Sequence, residues 1–155
     1  MQRLQHIKLT GFLAAGEWHF ASDDSRVPNA DEYRAVFSQL KQLRSLTLQK
    51  VYGIDSLLAH LHRAPALRIL SIRCLPDNSA GTSKSRLPSL AVLSALLTAA
   101  PHLEVELLMP ATLDRWTALR PSAAAQDHAA SEQQWRELQR MGAEMERVTV
   151  VDWQR

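Results

Sequence analysis

The chain has 155 residues, 46% of them hydrophobic and 22% charged, which is the composition of a soluble globular protein and fits one domain over residues 1–155. Its formal net charge is only +2 and its Lys and Arg residues are scattered among acids, so we expect no nucleic-acid partner. A single cysteine excludes an internal disulfide, and no apolar run suits a signal peptide or a membrane span, which predicts an intracellular protein, cytoplasmic or nuclear, with no membrane partner.

The first third of the chain predicts a strand, a loop, a helix and a second strand. Residues 4–9 alternate in the way of a half-buried strand, and residues 14–29 contain a glycine, two adjacent aspartates and a proline, which predict a flexible loop. Asn29 suits the N-cap of a helix whose apolar residues recur at i, i+3, i+4 and i+7 from Tyr33. A strand at 43–48 follows.

The middle of the chain repeats this order of helix and strand. Asp55 is predicted to cap a helix that ends at Pro65 and leads into a strand at 67–72. The small, polar residues 76–88 predict a flexible surface loop, and Ser89 is placed to begin the next helix.

Two glutamates decide the register of the fourth strand. Aligned on Leu103 like the other strands, this strand would bury Glu106, and burying an unpaired carboxylate costs several kcal/mol. A shift by one residue buries Val105 and Leu107 instead. We therefore predict the shifted register, with Glu104 and Glu106 facing out.

The last third predicts two helices and a strand. A short helix is expected at 112–119, followed by a loop at 120–131. Ser131, with a glutamine three residues later, resembles a capping box that begins the last helix, and Gly142 suits the C-cap of that helix. The final strand is predicted at 148–151.

Four of the five strands fit one template, seen most clearly in residues 67–75, which read L-R-I-L-S-I-R-C-L. With helices between them, these strands resemble leucine-rich repeats of the irregular, ribonuclease-inhibitor-like and F-box-associated type, although the usual Asn or Cys near the end of the repeat is replaced, as by Leu75. The resemblance implies a short α/β solenoid, a curved parallel sheet of about five strands with helices on its convex side. It also implies a scaffold whose concave face binds another protein, such as a substrate-recognition fragment of an F-box-like protein, with its open ends covered by a partner or a missing segment.

In this template the third, fifth and seventh positions face out of the sheet, because side chains alternate between the two faces of a strand. The predicted partner-binding residues are the polar side chains at these positions: His6, Lys8, Ser45, Thr47, Gln49, Ser71, Arg73, Glu104, Glu106, Arg147 and Thr149. Apolar residues such as Ile69 and Val151 face the same way. The simpler interpretation of this surface is a solvated sheet face without a dedicated partner.

A compact α/β enzyme is the alternative function. His102, Glu104 and Glu106 have a spacing that would place them on one face of a strand, where a metal or acid–base role is conceivable. No fourth group accompanies them and no glycine-rich nucleotide motif is present, so we predict no catalytic residue, no metal and no cofactor. Cys74 is interpreted as a small packing residue rather than a nucleophile.

Overall fold

The computed structural model describes residues 5–10, 35, 37–49, 54–76, 87–119 and 128–152. These residues form an α/β fold around a five-stranded parallel sheet in the order β1-β2-β3-β4-β5. The strands are β1 (His6–Thr10), β2 (Ser45–Gln49), β3 (Ile69–Arg73), β4 (Glu104–Met109) and β5 (Val148–Asp152). The helices with described bounds are α1 (Ile54–Leu58), α2 (Leu90–Ala99), α3 (Leu113–Ala118) and α4 (His128–Glu144), with a 3-10 helix at Leu61–Arg63 before β3. Residues 35 and 37–39, before β2, are helical as well.

The strand sequences alternate, and their register lines the apolar residues up across the sheet. Leu46 pairs with Leu70, which pairs with Val105, and a second row joins Leu48 to Ile72. All five side chains are at most 2% exposed. The shifted register predicted for the fourth strand is confirmed.

One face of the sheet carries the core. The helices with described bounds pack against this face. Leu57 of α1, Leu93 of α2, Trp116 of α3 and Leu138 of α4 are buried in one cluster with the inward strand residues. Within the described ranges, no helix has the length and apolar character that a membrane crossing needs.

Asp55 does not cap its own helix. It lies in the first turn of α1, and its Oδ1 accepts the backbone N–H of Ser89 at 2.9 Å. Ser89 is the N-cap of α2, as predicted, and its Oγ accepts the Val92 N–H at 3.2 Å. The carboxylate therefore supports the start of a different helix.

The three predicted loops differ in outcome. The loop at 14–29 lies outside the described residues. Only the ends of the loop at 76–88 are described, and there Pro76, Leu87 and Pro88 are buried rather than on the surface. The prediction for 120–131 is wrong at its end, because α4 begins at His128.

Ser131 is consequently not the cap of the last helix. It is a buried residue of α4 that faces Trp116 of α3. The indole Nε1–H of Trp116 donates to both the carbonyl oxygen of Ser131, at 3.0 Å, and its Oγ, at 2.9 Å. A buried indole N–H needs such an acceptor, so this contact joins the two helices and the capping-box prediction is wrong.

Gly142 is likewise not a C-cap, since α4 continues to Glu144. A Cβ at this position would collide with the Cγ2 methyl of Val150 in β5. The missing side chain therefore allows α4 to pack closely on the last strand, which is a tertiary reason for a glycine inside a helix.

We expect Gly142→Ala to lower the free energy of unfolding by about 1–3 kcal/mol, because the new Cβ overlaps the Val150 side chain. The sign is informative, since the same substitution in an unhindered helix raises stability by about 1 kcal/mol. Urea unfolding of the single variants, and of Gly142→Ala combined with Val150→Ala, measures the coupling. An equal loss in both backgrounds would contradict the close contact.

Candidate protein interface

The sheet face opposite the helices, here called the open face, carries its side chains in three rows across the strands. The rows follow from the register: His6, Ser45, Ile69 and Glu104; then Lys8, Thr47, Ser71, Glu106 and Thr149; then Gln49, Arg73, Leu108 and Val151. The structure thus brings together all the predicted partner-binding residues except Arg147.

Exposure differs along these rows. His6, Lys8, Glu104 and Thr149 are exposed, whereas Ser71 at the centre is buried. The remaining polar residues of the open face are half-buried. Exposure of the polar side chains is therefore lowest at Ser71 and highest on β1, at the start of β4 and on β5.

Lys8 and the two glutamates of β4 lie on opposite sides of the open face. Lys8 lies on β1, while Glu104 and Glu106 lie on β4, three strand spacings away. With neighbouring strands about 4.8 Å apart, this separation is about 14 Å, which exceeds the Debye length of about 10 Å at 0.1 M salt. Lys8 and the two glutamates therefore do not neutralise each other. Arg73 on β3 adds a second positive charge, next to the strand that carries the glutamates.

A hydrogen bond fixes one of these carboxylates. Ser71 and Glu106 are directly paired between β3 and β4, and the Ser71 hydroxyl donates to Oε2 of Glu106 at 2.8 Å. Because Ser71 is only 8% exposed, its hydroxyl needs this acceptor. The bond holds the Glu106 side chain along the sheet, and the strand pairing that creates it cannot be seen from either strand alone.

Arg147 does not belong to the open face, which corrects its prediction as a partner-binding residue. Its guanidinium donates to three carbonyl oxygens at and after the C-terminal end of α2: those of Leu97 at 2.5 Å, Ala100 at 2.8 Å and Leu103 at 3.3 Å. Helix C-termini leave carbonyls without intrahelical partners and favour a cation. Arg147 therefore joins the approach to β5 to the end of α2.

We expect Arg147→Met to lower the free energy of unfolding by about 2–3 kcal/mol, because it leaves partly buried carbonyls without their charged donor. Arg136→Met is the matched control. The Arg136 side chain is 61% exposed and ion-paired at 3.6 Å with Glu132, so its loss is worth at most about 0.5 kcal/mol. Thermal or urea unfolding compares the two variants, and equal effects would argue against the capping role.

The predicted partner-binding set leaves out two exposed apolar side chains of the open face. Ile69 on β3 and Val151 on β5 are each 38% exposed, the large hydrophobic side chains that stand out in the described parts of the chain. The predicted set contains polar residues only, although template position alone places these two on the same face. Exposed apolar side chains within a polar surface are a feature of binding sites.

The alternative cluster of His102, Glu104 and Glu106 is only partly assembled. β4 begins at Glu104, and His102 lies in an exposed turn before it, so the strand alternation does not extend to the histidine. Glu106 is engaged by Ser71. In the portion of the chain that the structure describes, no group of three or more His, Cys, Asp or Glu residues could hold a metal ion.

Cys74 is a packing residue, as predicted. It follows β3, is fully buried, and its Sγ contacts the carbonyl oxygen of Ile72 at 3.7 Å. Burial raises the pKa of the Cys74 thiol from 9.0 to about 12. The thiolate, which is the nucleophile, is therefore suppressed at neutral pH.

We expect Cys74 of the folded protein to react with Ellman's reagent at least roughly 1,000-fold more slowly than in urea, because its thiolate fraction and its access are both reduced. Since the folded pKa is raised, this group stabilises the fold fully below about pH 9, and that contribution is lost as the pH rises from about 9 towards 12. Cys74→Ala supplies the blank. Rapid labelling under folding conditions would contradict the buried position.

Comparisons of the chain with models of protein families, with curated proteins and with solved structures gave no match. The resemblance to leucine-rich repeats therefore rests on the strand template alone and remains a prediction.

Proposed function

We propose that this chain is a non-catalytic protein-binding module that holds a partner against the open face. The observation that carries the proposal is the asymmetry of the sheet: helices and core on one side, and on the other side three rows of side chains held in register. A rigid sheet face loses little conformational entropy on binding, which favours recognition by a preformed surface.

The composition of the open face suits a protein partner. Ile69 lies on the central strand and is surrounded by the polar side chains of Ser45, Ser71 and Glu104. An exposed apolar side chain bordered by polar and charged side chains is common in protein interfaces.

The size of the face sets the expected strength of binding. Five strands about 4.8 Å apart, each rising about 3.3 Å per residue over five residues, give a face of about 24 Å by 17 Å. This is about 400 Å², roughly half of what each partner contributes to a standard interface. A transient partner, or one that also reaches beyond the sheet, fits this area best.

The finer description as a short leucine-rich-repeat solenoid is part of the same proposal. The sequential strand order and the packing of the core on one face support it. A substrate-recognition unit of the F-box-like type would use the open face in the same way, with Lys8, Arg73 and Glu106 among the contact residues.

Ile69→Lys tests the proposal, because it replaces an exposed apolar side chain on the central strand of the open face with a charge. We expect the variant to lose at least about tenfold in affinity for partners captured by the wild type, a change of about 1.4 kcal/mol. Quantitative affinity capture followed by titration of each captured protein measures this loss, and circular dichroism verifies folding.

Ala95→Lys is the matched control, since it introduces the same charge at an exposed position of α2, away from the open face. It should retain the wild-type partners. If Ile69→Lys binds every one of them as tightly as Ala95→Lys does, the open face is not the binding surface.

A further inference from the structure

We infer that a second copy of this chain is one occupant of the open face, the two copies packing face to face about a two-fold axis that runs parallel to the strands. The inference rests on the proposed function, because it names a partner for the same surface. It is carried by the distribution of charge over the open face and by the position of Ile69 within it.

The charges of the face are self-complementary in only one of the two simple arrangements. A two-fold axis parallel to the strands and located between β2 and β3 places β1 of one copy over β4 of the other. Lys8 then lies opposite Glu106 of the second copy, and His6 lies opposite Glu104 of the second copy, because each row is retained. An axis perpendicular to the strands would place Lys8 against Lys8, so electrostatics selects the first arrangement.

The centre of the face also fits this arrangement. β2 of one copy lies over β3 of the other, so Ile69 of each copy lies opposite Ser45 of the second copy. The two Ile69 side chains therefore lie on either side of the axis and close to it. Thr47 lies opposite Ser71 of the second copy, and both side chains are small, which permits close approach of the sheets. The 38% exposure of Ile69 is removed from water in the dimer.

Lys8 and Glu104 are positioned to contact a second copy. Lys8 and Glu104 are exposed, and the distance of about 14 Å between β1 and β4 prevents them from pairing within one copy. Each contact occurs twice in a two-fold dimer, so its contribution is doubled.

The area predicts a weak dimer. With the axis between β2 and β3, only β1 to β4 of each copy overlap, an area of about 19 Å by 17 Å or about 320 Å². The two faces then bury about 640 Å² in total, below the roughly 1,200 Å² of stable complexes. We therefore expect a dissociation constant in the range of about 10 µM to 1 mM. Analytical ultracentrifugation of the wild-type chain over about this range of concentration should show reversible dimerisation.

Charge reversal identifies the surface. Lys8→Glu and Glu106→Lys each place like charges in contact at two points, so each variant alone should dimerise at least about tenfold more weakly than the wild type. Glu106→Lys also removes the acceptor of the buried Ser71 hydroxyl, so circular dichroism verifies that this variant is folded.

The decisive measurement mixes the two variants. In a heterodimer of Lys8→Glu with Glu106→Lys, the reversed charge at position 8 of one copy meets the reversed charge at position 106 of the other. The remaining contact, between Lys8 and Glu106, is the wild-type one. An equimolar mixture should therefore associate as well as the wild type. The controls are Arg140→Glu and Glu144→Lys, whose side chains on α4 are 63% and 67% exposed; each should dimerise like the wild type.

Three results would overturn the inference: a wild type that is monomeric at every concentration, single variants that dimerise normally, or a mixture that fails to associate. None of them touches the proposed function, which is lost only if Ile69→Lys retains all other captured partners. A monomeric wild type with partners sensitive to Ile69→Lys would reject the second copy and keep the open face as a binding surface.

Discussion

The pairing of each strand with the next strand in the chain is the constraint on which the rest of the structure depends. Parallel neighbours require a crossover between them, and crossovers of one hand in a sequential sheet all pass over the same face. Leu46, Leu70 and Val105 must therefore share a core with the helices, while the residues between them form a surface. Core and candidate interface are two consequences of one topology.

The strands, and hence much of the candidate interface, could be predicted from the sequence because alternation is a local property. The free-energy cost of burying Glu106 is enough to determine the register of β4. The odd or even position of each side chain along the strand then assigns it to one of the two faces of the sheet. The bond between Ser71 and Glu106 could not be predicted in this way. It requires knowledge that β3 and β4 are neighbours in a given register, which neither segment contains.

The errors at Ser131, Gly142 and Arg147 share a physical cause, since the partner of each residue lies on another helix or strand. Ser131 and Gly142 occupy positions that local rules assign to helix ends, but the structure uses them where α4 meets Trp116 and Val150. Alternation along the strand predicts that Arg147 faces outwards with the surface residues, yet its long side chain reaches the end of α2. A capping motif supplies a hydrogen-bond partner to a backbone group near it in sequence. The same residue is used in a tertiary contact instead when that contact supplies a partner to a buried group.

The hydrogen bond from Ser89 N–H to Asp55 has a consequence for cooperativity. The acceptor lies in α1 and the donor begins α2, 34 residues later, with β3 between them in the chain. The first turn of α2 therefore loses this support whenever α1 unravels. Native-state amide exchange should show the two helices opening as one unit around β3, so that a short five-residue helix shares the protection of its longer neighbour.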